Sequence, residues 1–144
     1  MAKNAGSPKQ LMAIIMVDSV DDARNFYIDK LGFDHVMGVV GGDGQLDFCT
    51  VVLDGARIMF ARSPEAPAAA KPPRPKQPVE LYIEVADVRS FHDNVTKNGV
   101  AITDPMTLQW WGDRTFKIRD PLGYECWFYQ SESEPKPPQG AKIL

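Results

Sequence analysis

The side chains able to do chemistry are few. Two cysteines, Cys49 and Cys126, and two histidines, His35 and His92, are the only thiols and imidazoles of the chain. The cysteines fit neither a metal-ligand spacing nor a disulfide framework and read as small buried or half-buried thiols. His35 falls at the start of a strand and His92 on a helix. What the chain concentrates instead is aromatic surface. Trp110, Trp111, Phe116, Tyr124, Trp127, Phe128 and Tyr129 crowd into residues 110–129, a stretch that reads as two strands joined by a tight turn. Asp120 brings an Asx-type side-chain bond to that turn, Pro121 a fixed φ, and Gly123 the freedom to take φ > 0. Asp120 is expected to be a turn residue and nothing more.

The same layout occurs earlier in the chain. Gly44, Phe48, Gly55 and Phe60 precede Gly112, Phe116, Gly123 and Phe128 by one offset (112 − 44 = 68), and Ile15 and Val17 precede Ile83 and Val85 by the same offset. A fixed offset with matching turn glycines indicates a duplicated module.

The elements that must position these residues follow from local pattern. Leu11 to Val17 is a near-continuous apolar run, expected as a strand buried on both faces or nearly so. Ser19-Val20-Asp21-Asp22 has the form of a capping box. A helix follows with Val20, Ala23, Tyr27 and Leu31 on one face, and Gly32 ends it. Phe33 to Val40 is a second strand. Asp54-Gly55 joins Leu46–Leu53 to Ala56–Arg62 as a hairpin. The second copy opens with Val79 to Val85. Asp87 caps a helix carrying Val88, Phe91 and Val95, and Gly99 ends it one residue short of the offset. Val100 to Leu108 is a strand whose Pro105 suits an edge or a bulge.

Each copy is therefore strand, helix, strand, strand, strand. The fold class is α+β: two βαβββ modules forming a half-closed barrel with a concave pocket. The expected boundaries are a loose N-terminus at 1–9, a first module at 10–62, a Pro/Ala-rich linker at 63–78, a second module at 79–131 and a Pro-rich tail at 132–144.

Composition narrows the function classes. The apolar fraction is 44% and the charged fraction 24%, ordinary for a globular protein. A net charge of −3, with no basic patch interleaved with aromatics, gives no case for nucleic acid. No apolar run approaches the ~20 residues needed to span a bilayer, and no signal-peptide core is present. The default expectation is a cytoplasmic protein without membrane contact.

Three segments carry a resemblance: Asn25-Phe26-Tyr27 through Leu31-Gly32-Phe33, Tyr82-Ile83-Glu84-Val85-Ala86-Asp87-Val88, and Arg119-Asp120-Pro121-Leu122-Gly123-Tyr124. In their order and spacing over residues 11–130, the chain resembles the vicinal oxygen chelate superfamily of glyoxalases, bleomycin-resistance proteins and extradiol dioxygenases. Trp111-Gly112-Asp113-Arg114 looks most like the antibiotic-binding and glyoxalase-like branches. The resemblance implies homodimers, sometimes with modules exchanged between chains. In the enzymes of the family it implies one divalent metal held by His or Glu from the first and last strands of each module. Carried onto this chain those positions are Met12, Met59, Glu80 and Trp127, themselves related by the internal offset (80 − 12 = 68; 127 − 59 = 68). Thioethers are soft ligands and an indole cannot ligate. No metal and no cofactor are therefore expected.

Two thioethers and a Trp at those positions describe an apolar, adaptable floor. By alternation Met16 faces with Met12, Tyr82 with Glu80, and Tyr129 with Trp127. Trp110 and Trp111 stand at the mouth. Arg114 is a candidate for an anionic ligand group or for pairing with Asp113 or Asp120. Whether Arg114-Phe116-Ile118 or Thr115-Lys117-Arg119 faces inward is left open by the pattern. The ligand-binding candidates are Met12, Met16, Met59, Glu80, Tyr82, Trp110, Trp111, Arg114, Trp127 and Tyr129. Such a surface suits a planar or aromatic small molecule, a cationic one included. The leading expectation is a metal-independent binding protein of this family that performs no chemistry. The alternative is a metal-independent isomerase or lyase, with Glu80 made basic by burial and Tyr82 or Arg114 polarising a carbonyl. A third reading is an interaction module whose concave side is simply filled core.

Overall fold

The computed structural model describes residues 10–63 and 79–144, so the N-terminal residues 1–9 and nearly all of the expected linker lie outside the described residues. The first module runs β1 (Ala13–Val17), α1 (Val20–Asn25) continued by a π turn (Phe26–Lys30), β2 (Asp34–Val40), β3 (Leu46–Leu53) and β4 (Ala56–Arg62). The second runs β5 (Glu80–Glu84), α2 (Val88–Lys97), β6 (Ile102–Leu108), β7 (Asp113–Arg119) and β8 (Glu125–Ser131). Each module builds one four-stranded sheet, ordered β1-β4-β3-β2 and β5-β8-β7-β6. The first and last strands of each module pair in parallel and the rest antiparallel. The sheets do not close into a barrel.

Caps and turns form where the residue chemistry demands. The Ser19 hydroxyl accepts from the Asp22 N–H and the Asp87 carboxylate from the Ser90 N–H, each satisfying an orphan donor of a first turn. Pro105 lies on edge strand β6, where pairing is irregular between Asp104 and Thr107, so its missing N–H disturbs no central ladder.

The offset is less uniform than the sequence suggests. It is 68 in β1/β5 and β4/β8, where Ile15 faces Phe60 and Ile83 faces Phe128. In the third strand it is 67: Phe60 faces Cys49, whereas Phe128 faces Phe116. Phe48 therefore pairs with Ala61 on the opposite face and is not the structural counterpart of Phe116. The π turn accounts for this. Widening one turn inserts a residue into a helix without ending it, so the first module gains one residue before β2. Five residues separate the paired Arg119 and Glu125 where four separate their counterparts Val52 and Arg57, and this restores the register.

One face of each sheet packs on its own helix. Ile15, Val17, Cys49, Val51, Ile58 and Phe60 pack with Val20, Ala23 and Tyr27, while Ile83, Val85, Phe116, Ile118, Cys126 and Phe128 pack with Val88 and Val95. Cys49 and Cys126 are both buried, free thiols. The other face is open. The expectation that β1 is buried on both sides is corrected here: Ile14 is 57% and Met16 47% exposed, while Ile15 and Val17 are buried.

The modules meet through the C-terminal ends of their helices. Lys30 Nζ donates to the Asn98 carbonyl and Asn98 Nδ2 donates to the Lys30 carbonyl. Deeper in the junction, the buried Tyr27 hydroxyl donates to Asp120 Oδ2 at 2.8 Å and lies 3.5 Å from Cys126 Sγ. Asp120 does accept the Leu122 and Tyr124 N–H groups as a turn residue should. It also carries this bond between modules while only 3% exposed, so it is more than a turn residue.

Candidate functional site

The candidate site is the open face of the second sheet. Alternation along β5 and β8 sends Ile83, Cys126 and Phe128 to the helix and leaves Glu80, Tyr82, Glu84, Trp127 and Tyr129 on the other side. Tyr82 is the hub. Its ring stacks on Tyr129 with centroids 4.3 Å apart and tilts against Trp127 at 5.7 Å. Trp111 lies edge-on to Trp127 at 6.1 Å and to Trp110 at 5.6 Å. Hydrogen bonds fix the ring edges. Trp111 Nε1 donates to Tyr82 Oη at 2.8 Å, and that hydroxyl donates to Asp113 Oδ2 at 2.7 Å. Ser131 Oγ holds the other Asp113 oxygen. Trp127 Nε1 donates to Glu80 Oε1 at 2.6 Å. The result is a contiguous, braced aromatic surface on which Tyr82 and Trp110 are each 44% exposed. Burial and the bond to Asp113 push the Tyr82 phenol up to about 12, so it is neutral, and a donor, at ordinary pH.

The inward register of β7 is Thr115-Lys117-Arg119. Lys117 faces Trp127 across the ladder, and its ammonium sits 4.5 Å over the indole ring, a cation–π contact. Glu125 at 3.1 Å, Asp104 at 3.2 Å and Glu80 at 3.9 Å surround it. Arg114 is therefore corrected as a ligand contact. It faces the helix side and pairs bidentately with Glu132 at 3.0 and 2.7 Å, and not with Asp113 or Asp120. That pair, joined by Arg89, holds the Glu132 carboxyl at about 2 against its ordinary 4.5. Because the folded value lies below the unfolded one, the unfolded chain takes up the proton first. The pair's stabilising share is thus complete above pH 4.5 and lost as pH falls through about 2. An NMR titration should return the Glu132 midpoint toward 4.5 in Arg114→Gln; an unmoved midpoint would deny the pairing.

The remaining candidates separate. Met12, Met16 and Met59 lie on the first sheet's open face, where the ladder runs Ile14–Met59–Thr50–Met37, the counterpart of Tyr82–Trp127–Lys117–Asp104. The four mapped ligand positions thus form two adjacent pairs on two different sheets. Two thioethers, an indole N–H spent on Glu80, and a carboxylate shared between Trp127 and Lys117 do not suit a divalent ion. Among the described residues no three His, Cys, Asp or Glu side chains gather as a metal-binding group. Glu80 is not buried among Met and Trp, its side chain being 34% exposed, so the burial invoked to make it a base is absent. Sequence reasoning missed Asp113 as the acceptor that orients Tyr82, and Met37 as a further thioether on the first face. The parity of β7 and β2 would have found both, once their bulges and register were known.

A cleft of about 690 Å³ borders the aromatic face. It runs along edge strand β5, between the Asp54–Ala56 turn of the first module and Tyr82, Glu84 and Tyr129 of the second.

Paired βαβββ modules with an open aromatic face define a glyoxalase-like class, and comparison with known proteins agrees. Residues 9–128 match the model of the Glyoxalase/Bleomycin resistance protein/Dioxygenase superfamily, and the chain belongs to that family. The uncharacterized protein Rv0887c of Mycobacterium tuberculosis (strain ATCC 25618 / H37Rv) is 25% identical over 114 residues, covering 76% of this chain and 67% of that protein. The solved structure of TioX from Micromonospora sp. ML1 is similar at a TM-score of 0.68 and 20% identity, over 86% of this chain and 99% of that one. TnmS3, an antibiotic binding protein from Streptomyces sp. CB03234, is similar at 0.65 and 21% identity, over 90% of this chain and 100% of its own. Among the described residues no helix is long and apolar enough to cross a membrane.

Proposed function

We propose that this chain binds a small hydrophobic or aromatic molecule, without a metal, on the braced face of Tyr82, Trp110, Trp111, Trp127 and Tyr129. One observation carries the reading: Tyr82, Trp111 and Trp127 are held by hydrogen bonds at their ring edges, Tyr129 and Trp110 pack against them by ring contacts, and Tyr82 and Trp110 stay 44% exposed. A face that only filled a core would be covered. Preorganised rings lose little entropy when a flat ligand stacks on them. That TnmS3 is an antibiotic binding protein supports a binder over an enzyme. Glu80 as a general base has less support, because its exposed carboxylate already accepts the Trp127 N–H and lies near Lys117.

A second copy of the chain is proposed to cover the first module's face, where Ile14, Met16, Met37 and Val39 are all exposed. Exposed apolar side chains gathered on one face mark an interaction surface, and sedimentation equilibrium should return twice the chain mass.

The deciding experiment screens planar aromatic compounds by calorimetry on metal-stripped protein, with Glu80→Gln alongside. A binder keeps most of its affinity in the variant, and no probe is consumed. Turnover of a probe that Glu80→Gln abolishes, with binding retained, would replace this reading by the lyase or isomerase.

A further inference from the structure

The ligand's charge can be argued further, on the footing that the aromatic face is the binding site. The cleft along β5 is walled on one side by the exposed Tyr82 ring and its stacked partner Tyr129, and on the other by the Asp54 turn. Among the described residues its lining includes two carboxylates, Asp54 and Glu84, and no Lys, Arg or His. Among the described residues no cation pairs with either. Asp113, just beyond, is satisfied by two neutral hydroxyls, those of Tyr82 and Ser131. Glu84 and Asp113 are close enough to Tyr129 that their charges, added to burial, raise its phenol. The cations of this face are already committed, Lys117 to Glu125 and Asp104, Arg119 to Glu125. The Lys117 ammonium over Trp127 shows that these rings receive a cation in this environment.

We propose that the cleft takes a planar organic cation, its ring on Tyr82 and its positive charge between Asp54 and Glu84. A neutral ligand of the same shape gains only the stacking. An anion meets two carboxylates and is rejected. Charges a few ångströms apart at a partly wet surface are worth about a factor of ten in affinity, and salt screens them within about 10 Å at 0.1 M.

The test compares three flat tricyclic probes of similar size by fluorescence and calorimetry: proflavine as the cation, acridone as the neutral ring and acridine-9-carboxylate as the anion. Proflavine is expected to bind about tenfold more tightly than acridone at low salt, with the carboxylate weakest and the preference shrinking in 0.5 M salt. The Asp54→Asn/Glu84→Gln double variant should bring the proflavine-to-acridone ratio close to one. Its thermal melt serves as the folding control. Equal binding of proflavine and acridone to the native chain would overturn the charge assignment and leave the aromatic site standing. Binding of none of the three would remove both.

Discussion

Asp120→Ala lowers the free energy of unfolding by about 3 to 5 kcal/mol in a urea titration, a large share of the roughly 5 to 15 kcal/mol that holds an ordinary domain together. Asp120 is buried and takes three donors at once: the Tyr27 hydroxyl from the other module and the Leu122 and Tyr124 N–H groups of its own turn. Alanine takes the carboxylate acceptor from all three, and each buried donor left unsatisfied costs about 1 to 3 kcal/mol. Two further variants apportion the loss. Tyr27→Phe removes the intermodule bond alone and should cost about 1 to 2 kcal/mol. Asp120→Asn keeps an acceptor for the turn and should cost less than alanine. Burial pushes the Asp120 carboxyl up, against the hydrogen bonds from Tyr27, Tyr124, Leu122 and Gly123 that pull it down. A folded value above the unfolded one means that Asp120's contribution is fullest in acid and declines as pH rises through the folded value, opposite to Glu132. Asp120→Asn should abolish that decline. Near-equal stability of Asp120→Ala and the native chain would show that the junction does not depend on this bond.

Trp127→Ala weakens binding of an aromatic probe by about 10- to 100-fold, the range of a central aromatic hot spot. Trp127 touches Tyr82 and Trp111, anchors Glu80 through its N–H, and lies beneath Lys117. Its removal deletes stacking surface and frees both a carboxylate and an ammonium to reach into the site. Trp110, at the rim and in ring contact with Trp111, should matter only a few-fold when truncated. Calorimetry on both variants separates the centre from the rim. If Trp110→Ala cost more than Trp127→Ala, the ligand would sit at the mouth instead of on the platform.

How far the fold was legible in the sequence depends on what each residue had to report. Asp54-Gly55 marks a hairpin by backbone chemistry alone, and the flanking strands run Leu46–Leu53 and Ala56–Arg62 as read. Ser19 and Asp87 mark helix starts for the same reason. The apolar run of β1 misled, because an open face of methionine and isoleucine looks the same in sequence as a buried one. Arg114 could not be placed by comparison with the first module, because the π turn there shifts that module's third strand by one residue against β7. Glu80 was mapped with Trp127 among four positions, and its basicity was tied to burial, but no pattern in the chain tells how much water reaches a carboxylate on an edge strand. Asp120 shows the limit most plainly. Its turn chemistry is local and was read; its partner Tyr27 is 93 residues away, and nothing in either neighbourhood announces the other.

The meeting of the two helix C-termini at Lys30 and Asn98 has a consequence for symmetry. When the same part of two equivalent units touches its own counterpart, the contact is isologous, the geometry of a two-fold dimer. The junction inside this chain therefore has the form of a homodimer of single modules, with both modules carried on one chain. Halves carried on one chain need not be identical. One could turn its open sheet into a pliable thioether surface while the other became a rigid aromatic one, a division of labour closed to any assembly of identical modules.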